Sequence, residues 1–129
     1  MTPNTKFVVM RDQDSADCLD VKRTLVATCA ASGQECIVRI ACHELESFYL
    51  GDLEAVASAL DQPGLANRQA ERRYRDPDRL SNACDEFERL IGVLYEKIEG
   101  SRRIGEKLAL DGRNRSRSFN ALINALRVL

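Results

Sequence analysis

Two stretches of this chain, KFVVMR at residues 6–11 and ECIVRIA at residues 35–41, are dense in β-branched and apolar residues, and everything after residue 42 reads as helix or turn. Between them a polar DQDS turn leads into residues 16–32, where Cys18, Val21, Leu25 and Cys29 recur at helical spacing. Gly33 then stands where a helix closes in the left-handed conformation. Strand, helix and strand in that order form a βαβ unit, which predicts parallel strands and a right-handed crossover. The expected fold class is therefore α/β: a small parallel sheet within residues 1–41, followed by a mostly helical portion over residues 42–129. A chain of 129 residues is one domain with a modest core.

The helical portion reads in pieces. HELESFYL predicts a short helix, and Asp52 caps the next, which shows Leu53, Val56, Ala57 and Leu60 on one face before Pro63-Gly64 stops it. Residues 65–79 are polar and arginine-rich and contain the turn-like Asp76-Pro77-Asp78. Phe87, Leu90, Ile91, Leu94, Tyr95 and Ile98 share a helical register that Gly92 can break. Ser101 is expected to cap a helix reaching Leu110, and Ser116 a last one presenting Phe119, Leu122, Ile123, Leu126 and Leu129. Two strands alone make a weak sheet, so a further strand or a cover is expected. Either a second copy covers the open edge or the apolar faces beside it, giving a homodimer whose interface can include Phe48 or Tyr49, or the helices after residue 78 fold over the gap and keep the chain monomeric.

Composition narrows the chemistry. Five cysteines (18, 29, 36, 42 and 84) are scattered without a CxxC pair and accompany a single histidine, which argues against zinc. No apolar stretch approaches membrane length and MTPNTK is no signal peptide, so a cytoplasmic protein without membrane contact is expected. The net charge of −1 hides a gradient, with ten acids against five bases in residues 1–62 and two against seven in residues 101–129. Such a chain can hold a cation and a phosphate side by side.

The candidate site follows from topology. Asp12 and Asp14 follow the first strand, Glu44 and Glu46 follow the second, and neighbouring strand tips lie only ~5 Å apart. Four carboxylates converging on one rim suit a hard cation, Mg²⁺ or Mn²⁺. The competing explanation is capping: Asp14 or Ser15 at the start of one helix, Glu44 and Glu46 at the start of the next.

VVMRDQDSADC, RIACHELESFYLGDLEAV, RDPDRL and LDGRNRSRSF resemble, in that order, the landmarks of a Toprim-like family catalogued as domain of unknown function 4276. The resemblance implies an α/β module for metal-dependent phosphoryl transfer, with Asp12 and Asp14 as the Asp-x-Asp metal pair. Glu44 and Glu46 then become further catalytic ligands or their supports. It also implies an upstream strand bearing a general acid/base glutamate, so the chain is expected to be an N-terminally incomplete member. The activity implied is cleavage of DNA or RNA phosphodiesters; the alternative is a non-catalytic subunit working beside an ATPase partner.

DGRNRSRSF, residues 111–119, is the second candidate. Arg113, Arg115 and Arg117 cluster before a helix capped by Ser116, and free amides with arginine forks bind phosphate. Arg68, Arg72, Arg73 and Arg75 read as a solvated loop, His43 as structural, and neither a P-loop nor a nucleophile elbow is present.

Overall fold

The computed structural model describes residues 5–14, 16–92 and 95–129. It is a mixed α/β structure with a two-stranded parallel sheet and a mostly helical remainder. Strands β1 (Phe7–Asp12) and β2 (Cys36–Ala41) pair in register from Phe7 opposite Cys36 to Asp12 opposite Ala41. The crossover is α1 (Cys18–Ser32), closed by Gly33 in the left-handed conformation at φ 73°. Its cap is Asp17 rather than Asp14 or Ser15. The Asp17 carboxylate accepts from the amides of Leu19 and Asp20 at 2.9 and 3.1 Å. Asp14 cannot serve because it is itself turned into a left-handed conformation at φ 54°, and Ser15 lies outside the described residues.

Alternation along the strands gives the sheet two faces. Val9, Val38 and Ile40 pack against Val21, Leu25, Cys18 and Cys29 of α1, which makes a small satellite core. The opposite face, reached through Ala41, joins the main core. That core is built from α2 (Ser47–Leu50), α3 (Leu53–Leu60), α5 (Ala83–Ile91), α6 (Lys97–Gly105) and α7 (Arg117–Arg127). The helices beyond residue 78 thus do fold over the sheet: α7 lies along β2 and touches β1. Phe48 and Tyr49 are buried within the chain, Phe48 edge-on to Phe119 at 5.2 Å and Tyr49 against Phe87 at 5.4 Å. Neither is available for the dimer interface expected of it.

The arginine-rich segment is not an open loop. It forms a 3₁₀ stretch (Pro63–Ala70), the single-turn α4 (Arg72–Arg75) and a 3₁₀ turn (Pro77–Arg79), with the Arg68 and Arg73 guanidinium groups 5.9 and 5.5 Å from the centre of the buried Tyr74 ring. Gly92 does end α5, so the single register expected from Phe87 to Ile98 is broken, and Ile98 is exposed. Leu94 lies outside the described residues. α6 is capped by Glu96, which accepts from the amides of Ile98 and Glu99. Ser101 sits inside that helix instead of starting it, and the helix stops at Gly105, short of Leu110.

Candidate functional site

The two strand tips are braced to each other. The Gln13 amide donates to the Ala41 carbonyl at 3.0 Å, the Asp14 amide to the His43 carbonyl at 2.6 Å, and the His43 amide to Gln13 Oε1 at 3.0 Å. His43 is also left-handed, at φ 60°. Asp and His tolerate that region better than bulkier residues, so the strain is modest, but two such turns facing each other fix the rim. His43 thereby has a structural role.

The carboxylates distribute unevenly over this rim. Oxygens of Glu44 and Glu46 and the Cys84 thiol all lie within 4.8 Å of one another. Among the described residues these form the one group of three or more His, Cys, Asp or Glu placed to share an ion, and neither Asp12 nor Asp14 belongs to it. Asp12, half-buried at the end of β1, stands close enough to Glu46 and Asp14 to feel both charges. Asp14 is exposed, and its turned backbone, whose carbonyl meets the His43 ring at 3.3 Å, takes it away from the register of Asp12. The pair read as metal ligands is thus replaced as the focal point by Glu44 and Glu46, with Asp12 beside them. Cys84, at the start of α5, was legible only as a small hydrophobe.

Each group has a physical setting. Glu46 is 7% exposed and accepts from the Tyr95 hydroxyl at 3.2 Å, while Glu44 accepts from the Cys84 amide at 3.3 Å. Neither side chain caps α2. Burial raises the Asp12 carboxyl above its ordinary range, with Glu46 and Asp14 adding to the effect against the Leu45 amide and Lys97. Burial also pushes the Cys84 thiol up to about 12, helped by Glu46. A thiol that stays protonated at neutral pH is a poor metal ligand, so the oxygens carry any cation chemistry here. Lys97, raised by Cys84 and Glu46, supplies a positive charge that acts on Asp12.

The second predicted site is differently arranged. Ser116 does cap α7, accepting from the Phe119 amide at 3.2 Å. The next helix-start amide, that of Ser118, is met from inside by Asp78, which is 7% exposed. It accepts from the Ser118 amide at 2.8 Å, the Ser116 hydroxyl at 2.6 Å and the Ser118 hydroxyl at 3.3 Å. A protein carboxylate occupies the place where a phosphate was expected. Arg113 turns toward Asp52 and Glu54, at 3.0 Å from each. Asp52 itself caps α3 through the Ala55 amide and accepts from the Ala109 amide. Arg117 remains exposed with a loose 3.5 Å contact to Asp76, and Arg115 is exposed as well.

The same stretch clasps the core. Asn114, 3% exposed, donates to the Phe48 carbonyl at 2.9 Å and accepts from the Ser116 amide at 2.8 Å. The Arg115 amide donates to the Gly51 carbonyl at 2.8 Å. LDGRNRSRSF is therefore first a structural clasp, with Arg115 and Arg117 left over for ligands.

The chain belongs to the family described as a domain of unknown function (DUF4276), whose pattern matches residues 2–127. No curated protein and no solved structure gives a significant match. Among the described residues no helix is long and apolar enough to cross a membrane.

Proposed function

We propose that this is a Toprim-like, divalent-metal-dependent phosphodiesterase domain acting on DNA or RNA, with its reaction centre at the joined tips of β1 and β2. The observation that carries the reading is the convergence of Glu44, Glu46 and Asp12 at the C-terminal edge of a parallel pair, where α/β sheets bind ligands. Oxygen donors of this kind fit Mg²⁺ or Mn²⁺. Asp12, Glu44 and Glu46 would hold the ion, with Asp14 at its margin. The bound cation would supply Lewis acidity toward a phosphoryl oxygen. Lys97 balances the carboxylate charge, Tyr95 orients Glu46, and Arg115 and Arg117 hold the nucleic-acid backbone nearby.

Calorimetry with Mn²⁺ tests the site. Glu44→Gln with Glu46→Gln should abolish the binding heat, and Asp12→Asn should weaken it by about tenfold, the loss of one charged ligand at ~1.4 kcal/mol. Heats equal to those of the unaltered protein would remove the metal. The pH dependence has a defined sign. Cation uptake needs the carboxylate and is lost as pH falls through the raised Asp12 value, above 3.8. Without metal the sign reverses for folding stability. A raised carboxyl contributes most below 3.8 and loses that contribution as pH rises through its folded value.

Arg115→Ala should weaken oligonucleotide binding and reduce its logarithmic salt slope by roughly one. An unchanged slope would exclude Arg115 from the backbone path.

The other reading, a non-catalytic subunit in the cytoplasm beside an ATPase partner, is favoured by one observation. Much of the landmark stretch, including Arg113, Asn114 and Ser116, is engaged in internal bonds. A homodimer fits either reading even with α7 over one sheet face, because β1 is the more exposed strand and its Met10 is exposed. Sedimentation equilibrium at micromolar concentration should give twice 14.5 kDa. A constant mass of 14.5 kDa would end the dimer proposal.

A further inference from the structure

Beside the sheet lies a second cleft, of about 530 Å³, between α1 and α7. Three elements each bring a cation to it: Lys22 from α1, Arg39 from β2 and Arg117 from α7. Cys18, Ile40, Cys42, Ser118 and Ala121 complete most of its wall.

Arg39 is the informative residue. It is half-buried, and its guanidinium is held by two backbone carbonyls, Nε to Ala121 at 3.3 Å and Nη1 to Val38 at 2.9 Å. Among the described residues no carboxylate lies within ion-pair distance of Arg39 or of Lys22. A partly buried guanidinium costs desolvation that an opposite charge normally offsets, and here carbonyl dipoles orient the fork without neutralising it. The carboxylate that does reach the cleft, Asp78, is engaged by the two serines and the Ser118 amide. Its charge is directed into the start of α7. Arg117 lines the cleft, is 76% exposed and is only loosely tied to Asp76, so its charge is available to an anion there.

We infer that this cleft is a phosphate-binding site, in which Arg39 presents a pre-oriented fork and Lys22 and Arg117 close on the same anion from either side. The phosphate is either a phosphodiester of a nucleic-acid backbone or a free phosphate. Both offer the tetrahedral oxyanion that a guanidinium fork with two further cations recognises. The cleft is separate from the carboxylate tip and does not depend on a bound metal. Cys42 leads directly into the loop bearing Glu44 and Glu46, so a backbone held here would run toward that tip.

The test uses the full chain without metal, a fluorescein-labelled single-stranded oligonucleotide in one arm and inorganic phosphate in the other. Lys22→Ala and Arg39→Gln should each weaken oligonucleotide binding by about tenfold, and Lys22→Ala should flatten the logarithmic salt slope by about one. Lys107→Ala, which does not line the cleft, should bind as the unaltered protein does. Because Arg39 also ties β2 to α7, Arg39→Lys serves as its folding control, retaining charge and losing the fork. If inorganic phosphate binds and the same variants weaken it, the site reads the phosphate group itself. Oligonucleotide binding alone means that the polymer backbone is the ligand. Absence of binding in both arms, or full affinity in Lys22→Ala and a folded Arg39→Gln, overturns the proposal. Loss of Mn²⁺ binding in Glu44→Gln with Glu46→Gln and loss of oligonucleotide binding in Lys22→Ala are separate readouts, so the two sites fail separately.

Discussion

Replacing Asp78 with alanine is expected to lower the unfolding free energy by on the order of 3–5 kcal/mol, a large share of a small domain's total. The carboxylate is buried and accepts from one amide and two hydroxyls at the start of α7. Alanine leaves those donors without an acceptor and removes the negative charge that faces the positive end of the helix. Asp78→Asn should lie between, because its amide nitrogen cannot accept from the Ser118 N–H. Urea unfolding followed by circular dichroism decides it. A loss below about 1 kcal/mol for Asp78→Ala would mean that water substitutes for the carboxylate and that α7 is held by packing alone.

The second large effect concerns Gly51. A Cβ built there would stand 2.0 Å from Asn114 Oδ1 and 2.7 Å from the Ser116 backbone nitrogen. One of those neighbours is main chain and cannot swing aside. Gly51→Ala should therefore push the clasp off the core, breaking the Asn114 bonds to Phe48 and Ser116, at a cost of about 3–5 kcal/mol. The backbone at Gly51 is ordinary, φ −77°, so the requirement is one of space and not of conformation. Asn114→Ala adds a way to separate the causes. Combined with Gly51→Ala it should cost clearly less than the sum of the two single changes, since the nearest clash is then gone. Strict additivity would show that Gly51 and Asn114 do not meet.

What could be read in the residues was local. Both strands begin and end within one residue of the expected bounds, because alternating β-branched runs need only near neighbours to declare themselves. Asp52, Ser116 and Gly33 cap the helices they were expected to cap for the same reason. Failures came where several residues could do one job. Asp14, Ser15 and Asp17 all suit a helix start, and the left-handed turn at Asp14 leaves the role to Asp17. Ser101 lost to Glu96 once Gly92 had ended α5 and the next helix began at Lys97. The site was half visible. Topology alone brings Glu44, Glu46 and Asp12 to one edge, but Cys84 and Lys97 arrive from helices whose packing no spacing announces. Asp78 and Ser118 meet across forty positions and Asn114 and Phe48 across sixty-six, so the clasp looked like a phosphate loop.

That α7 covers the sheet carries a consequence for biosynthesis. The βαβ unit leaves the ribosome long before residues 111–127, yet one of its faces is closed only when that late segment arrives. Throughout that interval Val8 and Ile37, half-buried on the face opposite α1 in the finished fold, have no native cover, and both strand edges are open to other nascent chains. The pace of translation between residue 41 and residue 127, and any chaperone that shields the unit meanwhile, should therefore govern the yield of folded protein more than the intrinsic stability of the finished fold.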